Sequence, residues 1–150
     1  MERTLVLIKP DGVQRGLVGE IISRLDRRAL KLVALKLMQV NETLARLHYV
    51  EHLEQPFFRG LVDFITSAPL VAMVWEADNV VDIVRRTMGE TDPVKSAPGT
   101  VRGDLGLDIG RNLVHGSDCL ESAQREVSLF FSPKEIFDYT RAIEPWIKES

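Results

Sequence analysis

Leu70-Val71-Ala72-Met73-Val74-Trp75 is an unbroken apolar run, entered from Ser67-Ala68-Pro69 and closed by Glu76. It is short and β-compatible, with turn-forming residues before it, so it reads as a strand. Its partner decides the fold. Upstream, Leu30 to Val40 alternates in part: Leu35 and Leu37 flank Lys36, and Met38 and Val40 flank Gln39. That suits a second strand, broken by Asn41-Glu42-Thr43. If Lys31–Val40 pairs with Leu70–Trp75, the helices between them are an insert in a hairpin. The element order then collapses to β-α-β-β-α-β, an α+β, ferredoxin-like antiparallel sheet of four strands covered by helices.

The remaining elements follow outward. Thr4 to Ile8 is a buried strand ended by Lys9-Pro10-Asp11-Gly12, dense turn punctuation. Val18, Ile21, Ile22, Leu25 and Ala29 recur at helical spacing. Short helices are expected over Leu44–Glu51 and from Pro56 to Ile65. Phe57 and Phe58 are adjacent and cannot share one helix stripe, so one belongs to the core and the other to a stacking surface or an interface. Val80 to Arg86 is a helix whose closing arginines complement its dipole. Gly89 to Gly110 holds the densest turn signals, and a loop of that length in a compact domain is commonly functional. A helix over Asp118–Arg125 opens on a D-x-x-E resembling a capping box. Val127-Ser128-Leu129-Phe130 then reads as the short fourth strand. Ser132-Pro133-Lys134-Glu135, a capping box with proline at the first helical position, predicts a last helix through Ile136, Phe137 and Tyr139. Pro145-Trp146-Ile147 is an apolar tag that should dock on this or a neighbouring subunit.

The chain of 150 residues has no linker-like segment, which predicts one domain over 1–150. Apolar residues at 45% and charged residues at 27% describe an ordinary globule with a core. A net charge of −3 argues against nucleic acid as the main partner. The lone Cys119 makes no internal disulfide, which points to a reducing compartment. No signal peptide and no span of about 20 apolar residues is visible, so a cytoplasmic location away from membranes is expected.

The residues with chemical potential are spread along the chain. His115 stands in Asn112-Leu113-Val114-His115-Gly116-Ser117-Asp118, among small and polar neighbours. Gly116 removes a side chain beside the imidazole, leaving room for something bulky to approach. A neutral imidazole in a turn before a helix is a nucleophile, a general base, a metal ligand or a turn histidine without chemistry. His48-Tyr49-Val50-Glu51-His52 matches H-x-x-E-H, a zinc-peptidase pattern. It lacks an evident third ligand, so its histidines read as two exposed side chains on a surface helix. Lys9 sits at a strand exit. Together, Lys9, Tyr49, Phe57, Arg85, Thr91, Arg102, Asn112 and His115 suit an anionic, planar ligand, because Arg and Lys clamp phosphates and a ring stacks on a base. Arg111 lies just beyond the long loop. No Gly-rich phosphate cradle is present.

The His115 heptapeptide resembles the N-x-x-H-G-S-D signature of nucleoside diphosphate kinases. Ordered matches to that family extend over nearly the whole chain: Thr4–Val13, His48-Tyr49, Pro56-Phe57-Phe58, Gly89–Pro93, Pro98–Asp104, Ser122-Ala123 and Glu126. The resemblance implies a ping-pong transfer in which His115 takes the γ-phosphate of a nucleoside triphosphate, mainly ATP, and passes it to a nucleoside diphosphate. It implies that Glu126 and Ser117 orient the ring, and that Lys9, Arg85 and Arg102 neutralise phosphate charge. Thr91 would bond a phosphate oxygen, Asn112 and Lys9 the sugar hydroxyl, and Phe57 would stack on the base with little base selectivity. Tyr49 would touch the lysine and phosphate region. Mg2+ would arrive on the nucleotide phosphates, with no protein metal ligands. The long loop would carry part of the nucleotide site and subunit contacts. Family members are tetramers or hexamers, and the Ser132–Ser150 tail resembles the hexameric ones.

Overall fold

The computed structural model describes residues 1–149. Four strands, β1 (Glu2–Ile8), β2 (Lys31–Met38), β3 (Leu70–Ala77) and β4 (Val114–Gly116), form an antiparallel sheet ordered β2-β3-β1-β4. The helices among the described residues are α1 (Pro10–Gln14), α2 (Val18–Arg27), α3 (Glu42–His48), α4 (Phe58–Ile65), α5 (Val80–Met88), α6 (Val101–Leu105), α7 (Leu120–Phe130) and α8 (Glu144–Ile147). The expected hairpin is present: Lys31 pairs with Glu76 and Met38 with Leu70, with α3 and α4 inserted between the strands.

The unbroken apolar runs have a simple cause. Successive side chains of a strand point to opposite faces, and helices cover both faces of this sheet. Leu5 and Leu7 enter one core with Val62, Ile65 and Phe130. Val6 and Ile8 enter the other with Ile21, Val84 and Trp75. With no solvent face, β1 and β3 have no reason to alternate. Phe58 is buried and Phe57 half exposed, as two adjacent helix-entry aromatics require.

Three expectations are corrected. Val127–Phe130 is not a strand but the last part of α7, and the fourth strand is Val114–Gly116, which contains His115. The buried positions Ala123, Glu126, Val127 and Phe130 recur at helical spacing; the four-residue window around Ser128 only imitated a period of two. Second, Asp118 and Glu121 do not cap α7. Cys119 is its N-cap, with Sγ accepting from the Ser122 amide.

Third, the capping box at Ser132 and Glu135 forms but closes only a 3-10 turn, Pro133–Glu135. The chain then ties itself to the segment around β2 instead of coiling. The Phe137 amide donates to the Val33 carbonyl at 2.9 Å, and the Arg141 guanidinium donates to the carbonyls of Leu30 and Ala29. Lys31 Nζ donates to the Tyr139 carbonyl. The Phe137 amide and the Tyr139 carbonyl, backbone groups that a helix would pair internally, are thus taken by Val33 and Lys31, and among the described residues of the tail the only α-helix is the short α8. Trp146 on α8 remains exposed; Ser150, the end of the expected tail, lies outside the described residues.

Candidate active site

The site begins with a forced bend. Leu113 has φ of 76°, a left-handed conformation that a branched side chain adopts at a cost of about 1 kcal/mol or more. Two contacts from the exit of β1 hold it. The Leu113 amide donates to Asp11 Oδ2 at 3.0 Å, and the Lys9 amide donates to the Leu113 carbonyl at 2.8 Å. Lys9-Pro10-Asp11-Gly12, expected as a turn, instead opens α1 with Lys9 as its N-cap, and it is also the clamp that sets the direction in which β4 starts. From that start, His115 pairs with Leu7 and shares its sheet face, toward α3 and α7. Gly116 serves the opposite side. A Cβ there would sit 2.7 Å from Met88 Cε and 3.2 Å from Val84 Cγ1. The missing side chain makes room for α5 in the core and not for a ligand beside the imidazole, correcting the expectation.

Glu126, the last residue of the polar stretch Gln124-Arg125-Glu126 in α7, faces His115. Nε2 of His115 is 2.8 Å from Glu126 Oε1, and the buried Ser117 hydroxyl donates to the same oxygen at 2.7 Å. Burial alone would raise the Glu126 carboxyl, but the hydrogen bonds from His115 and Ser117 and the neighbouring imidazoles hold it below the usual carboxylate range. An ionised carboxylate only accepts, so Nε2 carries the hydrogen and Nδ1 the lone pair.

A cleft of about 260 Å³ opens over this pair, lined by Lys9, Tyr49, Arg85, Thr91, Arg102, Asn112 and His115 among others. The residues expected to meet thus do meet, with one exception. Phe57 is outside the lining and stands at its rim, its ring 5.4 Å from that of His52, which does line the cleft. Lys9 Nζ donates to Asn112 Oδ1 at 2.9 Å, and Asn112 Nδ2 donates to the Thr91 carbonyl at 2.9 Å. Burial and the nearby Arg102 push the Lys9 ammonium down to about 8. Arg102 is buried and donates to the carbonyls of Asn112, Gly89 and Val114, so it holds the long loop against β4 as well as lending the cleft its charge. Burial and Arg85 lower it to about 10. Arg85 reaches the Gly116 carbonyl at 3.3 Å. Burial, with Glu126 nearby, raises the Tyr49 hydroxyl to about 12, so it stays protonated. Arg111 is elsewhere, stacked on Phe64.

Sequence reasoning gave no place in the cleft to six residues that line it: His48, Glu51, His52, Asp118, Ser122 and Arg125. His48 is the largest correction, since it is buried and not exposed on a surface helix. Its ring packs edge-on against His115 and Phe130, at centroid distances of 4.7 and 5.3 Å. The three-residue spacing from Ala45, which is also buried, was the available signal.

The family model for nucleoside diphosphate kinase matches residues 2–136. The chain belongs to the nucleoside diphosphate kinase family. A nucleoside diphosphate kinase from Desulforamulus reducens is 57% identical over 149 residues, covering 99% of this chain and 100% of that one. One from Natronomonas pharaonis is 60% identical, covering 99% and 97%. Among solved structures, a halophilic nucleoside diphosphate kinase from Halobacterium salinarum in complex with CDP superimposes with a TM-score of 0.96 at 51% identity, covering 99% of each chain. A family protein from Babesia bovis gives 0.96 at 44% identity, covering 99% and 100%. As a nucleoside diphosphate kinase, the chain is a phosphotransferase that moves a phosphoryl group between nucleotides, and its cation-lined cleft is built for polyanions. No helix among the described residues is long and apolar enough to cross a membrane.

Proposed function

We propose that His115 is the group that carries the phosphoryl in transit. Nδ1 attacks the γ-phosphorus of ATP, the bond to the β,γ-bridging oxygen breaks, and ADP leaves. The phosphohistidine then gives the group to the terminal oxygen of an incoming nucleoside diphosphate by the reverse steps. The observation that carries this reading is the His115–Glu126 hydrogen bond, because it directs the ring's lone pair to Nδ1 without a proton transfer at the moment of attack. As positive charge builds on the ring, the Glu126 carboxylate offsets it, and Ser117 keeps that carboxylate in place.

Lys9, Arg85 and Arg102 neutralise the phosphates, and Thr91 donates to a phosphate oxygen. Such transfers depend mainly on positioning and electrostatics. Asn112 and Lys9 are prearranged on each other, which supports a shared role at the sugar hydroxyl. Tyr49, a hydroxyl donor at every physiological pH, serves the lysine and phosphate region. Phe57 at the rim offers a π-face and no hydrogen-bond code, which supports low base selectivity.

Mg2+ fits this cleft as an ion delivered on the nucleotide. Glu126 is committed to His115 and Ser117, which leaves Asp118 and Glu51 as lining carboxylates to face the ion's water shell. Asp118 is suited to that, because the Ser122 hydroxyl holds it below the usual carboxylate range. The ion supplies charge neutralisation on the phosphate oxygens.

The whole chain would act as one unit, in the cytoplasm, as a homo-oligomer with a hexamer favoured. Exposed Leu35 and Leu37 on the edge strand β2 and exposed Trp146 on the tail support self-association.

The test is brief incubation with γ-labelled ATP and magnesium, without acceptor, for wild type and His115→Ala. Expected is alkali-stable, acid-labile label on wild type alone, chased into GTP by GDP. A folded wild type that never labels overturns the reading.

A further inference from the structure

His48 is a buried polar group that the transfer reaction does not use. Among the described residues, neither Nδ1 nor Nε2 of His48 has a hydrogen-bond partner, although the side chain is 4% exposed. Buried nitrogens are rarely left in that state. The ring is not simply packed in hydrocarbon, because it lines the cleft beside His115 and Glu126. One donor atom from each of His48, His115 and Glu126 lies within 4.8 Å of the others.

We propose that His48, His115 and Glu126 form a binding site for one zinc-class divalent ion, and that its occupation switches off the nucleophile. The chemistry of the donors fits. Two imidazoles and one carboxylate are a zinc donor set, and the fourth position would open into the cleft. His48 brings a buried ring whose two nitrogens are engaged by no other group among the described residues, so coordination breaks no existing hydrogen bond on that side. His115 Nε2 and Glu126 Oε1, now 2.8 Å apart, would part by about half an ångström, and the wider-set donors, all within 4.8 Å of one another, would close toward about 3.4 Å to hold one ion at roughly 2.0–2.2 Å from each.

The consequence for catalysis rests on the reading of Nδ1 as the attacking atom; the binding does not. When the ion takes the Nε2 lone pair, the hydrogen that Nε2 donated to Glu126 must leave it. The neutral ring keeps one hydrogen, so it moves to Nδ1, and no net proton is released. Nδ1 then has no lone pair for phosphorus. The ion thus inactivates His115 by fixing the wrong tautomer. Its affinity is limited by the cations around it: Lys9, Arg85, Arg102 and Arg125 all line the same cleft. The site is therefore weaker than a structural zinc centre, as suits a reversible inhibitor. Nucleotide and zinc exclude each other through the shared His115.

The experiment is zinc titration of the nucleotide-free full chain against a chromophoric chelator, with His48→Phe, His48→Gln, Glu126→Gln and Cys119→Ser. Expected is one equivalent on wild type and on Cys119→Ser, with affinity at least tenfold lower in the His48 and Glu126 variants. Long-range 1H–15N correlation on wild type reads the same event without mutation: zinc moves the His115 hydrogen from Nε2 to Nδ1 and shifts His48, leaving His52 alone. The proposal is overturned if roughly tenfold excess zinc leaves the His48 and His115 signals unmoved. It is equally overturned if uptake is lost in Cys119→Ser and kept in the folded His48 variants. Zinc-free wild type labelled by γ-labelled ATP keeps the transfer reading separate: label without zinc and full label with zinc bound would sink only the switch.

Discussion

Glu126 Oε1 lies 2.8 Å from His115 Nε2 and fixes which nitrogen of the histidine carries the hydrogen. The two residues come from different elements, β4 and α7, and their meeting depends on the bend at Leu113.

Replacing that carboxylate by an amide tests the tautomer. In Glu126→Gln the side chain can present an N–H to Nε2 and so favour the other tautomer. The rate of phosphoenzyme formation should fall about 10²-fold or more, the scale of a positioned proton partner, with KM for ATP changed far less. Rapid-quench labelling reads this. A variant within a fewfold of wild type would show that Glu126 does not set the reactive nitrogen.

Lys9 makes the free enzyme sensitive to alkali. Burial and Arg102 bring its ammonium to about 8, so it is charged below that pH and neutral above it. kcat/KM for nucleotide should fall as pH rises through about 8. The loss in kcat should come at higher pH, because bound phosphates favour the charged lysine. Lys9→Arg, if it binds, should lose that alkaline limb.

His48 should cost stability in acid. Its folded value near 3 is below the ordinary 6.5, so between them the unfolded chain binds a proton that the folded chain refuses. Stability therefore falls as pH drops below about 6.5. At pH 5 the cost is about 2 kcal/mol relative to neutral pH. Urea melts of wild type and His48→Phe at pH 7.5 and 5 should show the variant losing less by that amount, and parallel losses would refute it.

Two helical glycines separate a backbone clash from helix propensity. A Cβ at Gly103 would meet the Ala97 carbonyl oxygen at 2.0 Å, backbone that cannot step aside. Gly103→Ala should destabilise by about 3 kcal/mol and displace Arg102, its neighbour in α6. Gly60, inside α4, has open space around it. Gly60→Ala should stabilise by about 0.5–1 kcal/mol. Thermal melts of the pair decide it.

Most of the sheet was legible because β1 and β3 are long and apolar on both faces, a local signal. β4 was not, since three residues carry no period, and its strand character comes from pairing with Val6, Leu7 and Ile8. The tail failed for a related reason: its capping box was real, but the Val33 carbonyl took the Phe137 amide and Lys31 took the Tyr139 carbonyl, two backbone groups that a helix would have paired internally.

By itself the sequence determined the residue types of the site and their order: Lys9 at a strand exit, the cations of α5 and the long loop, and a histidine followed by glycine, serine and a later glutamate. Those are local properties of composition and spacing. Tertiary structure alone decided that Glu126 faces Nε2, that Arg102 spends its donors on three carbonyls, and that His48 is buried against His115. Each depends on where an element more than a helical turn away is packed, and a chain's local propensities carry no information about that distance.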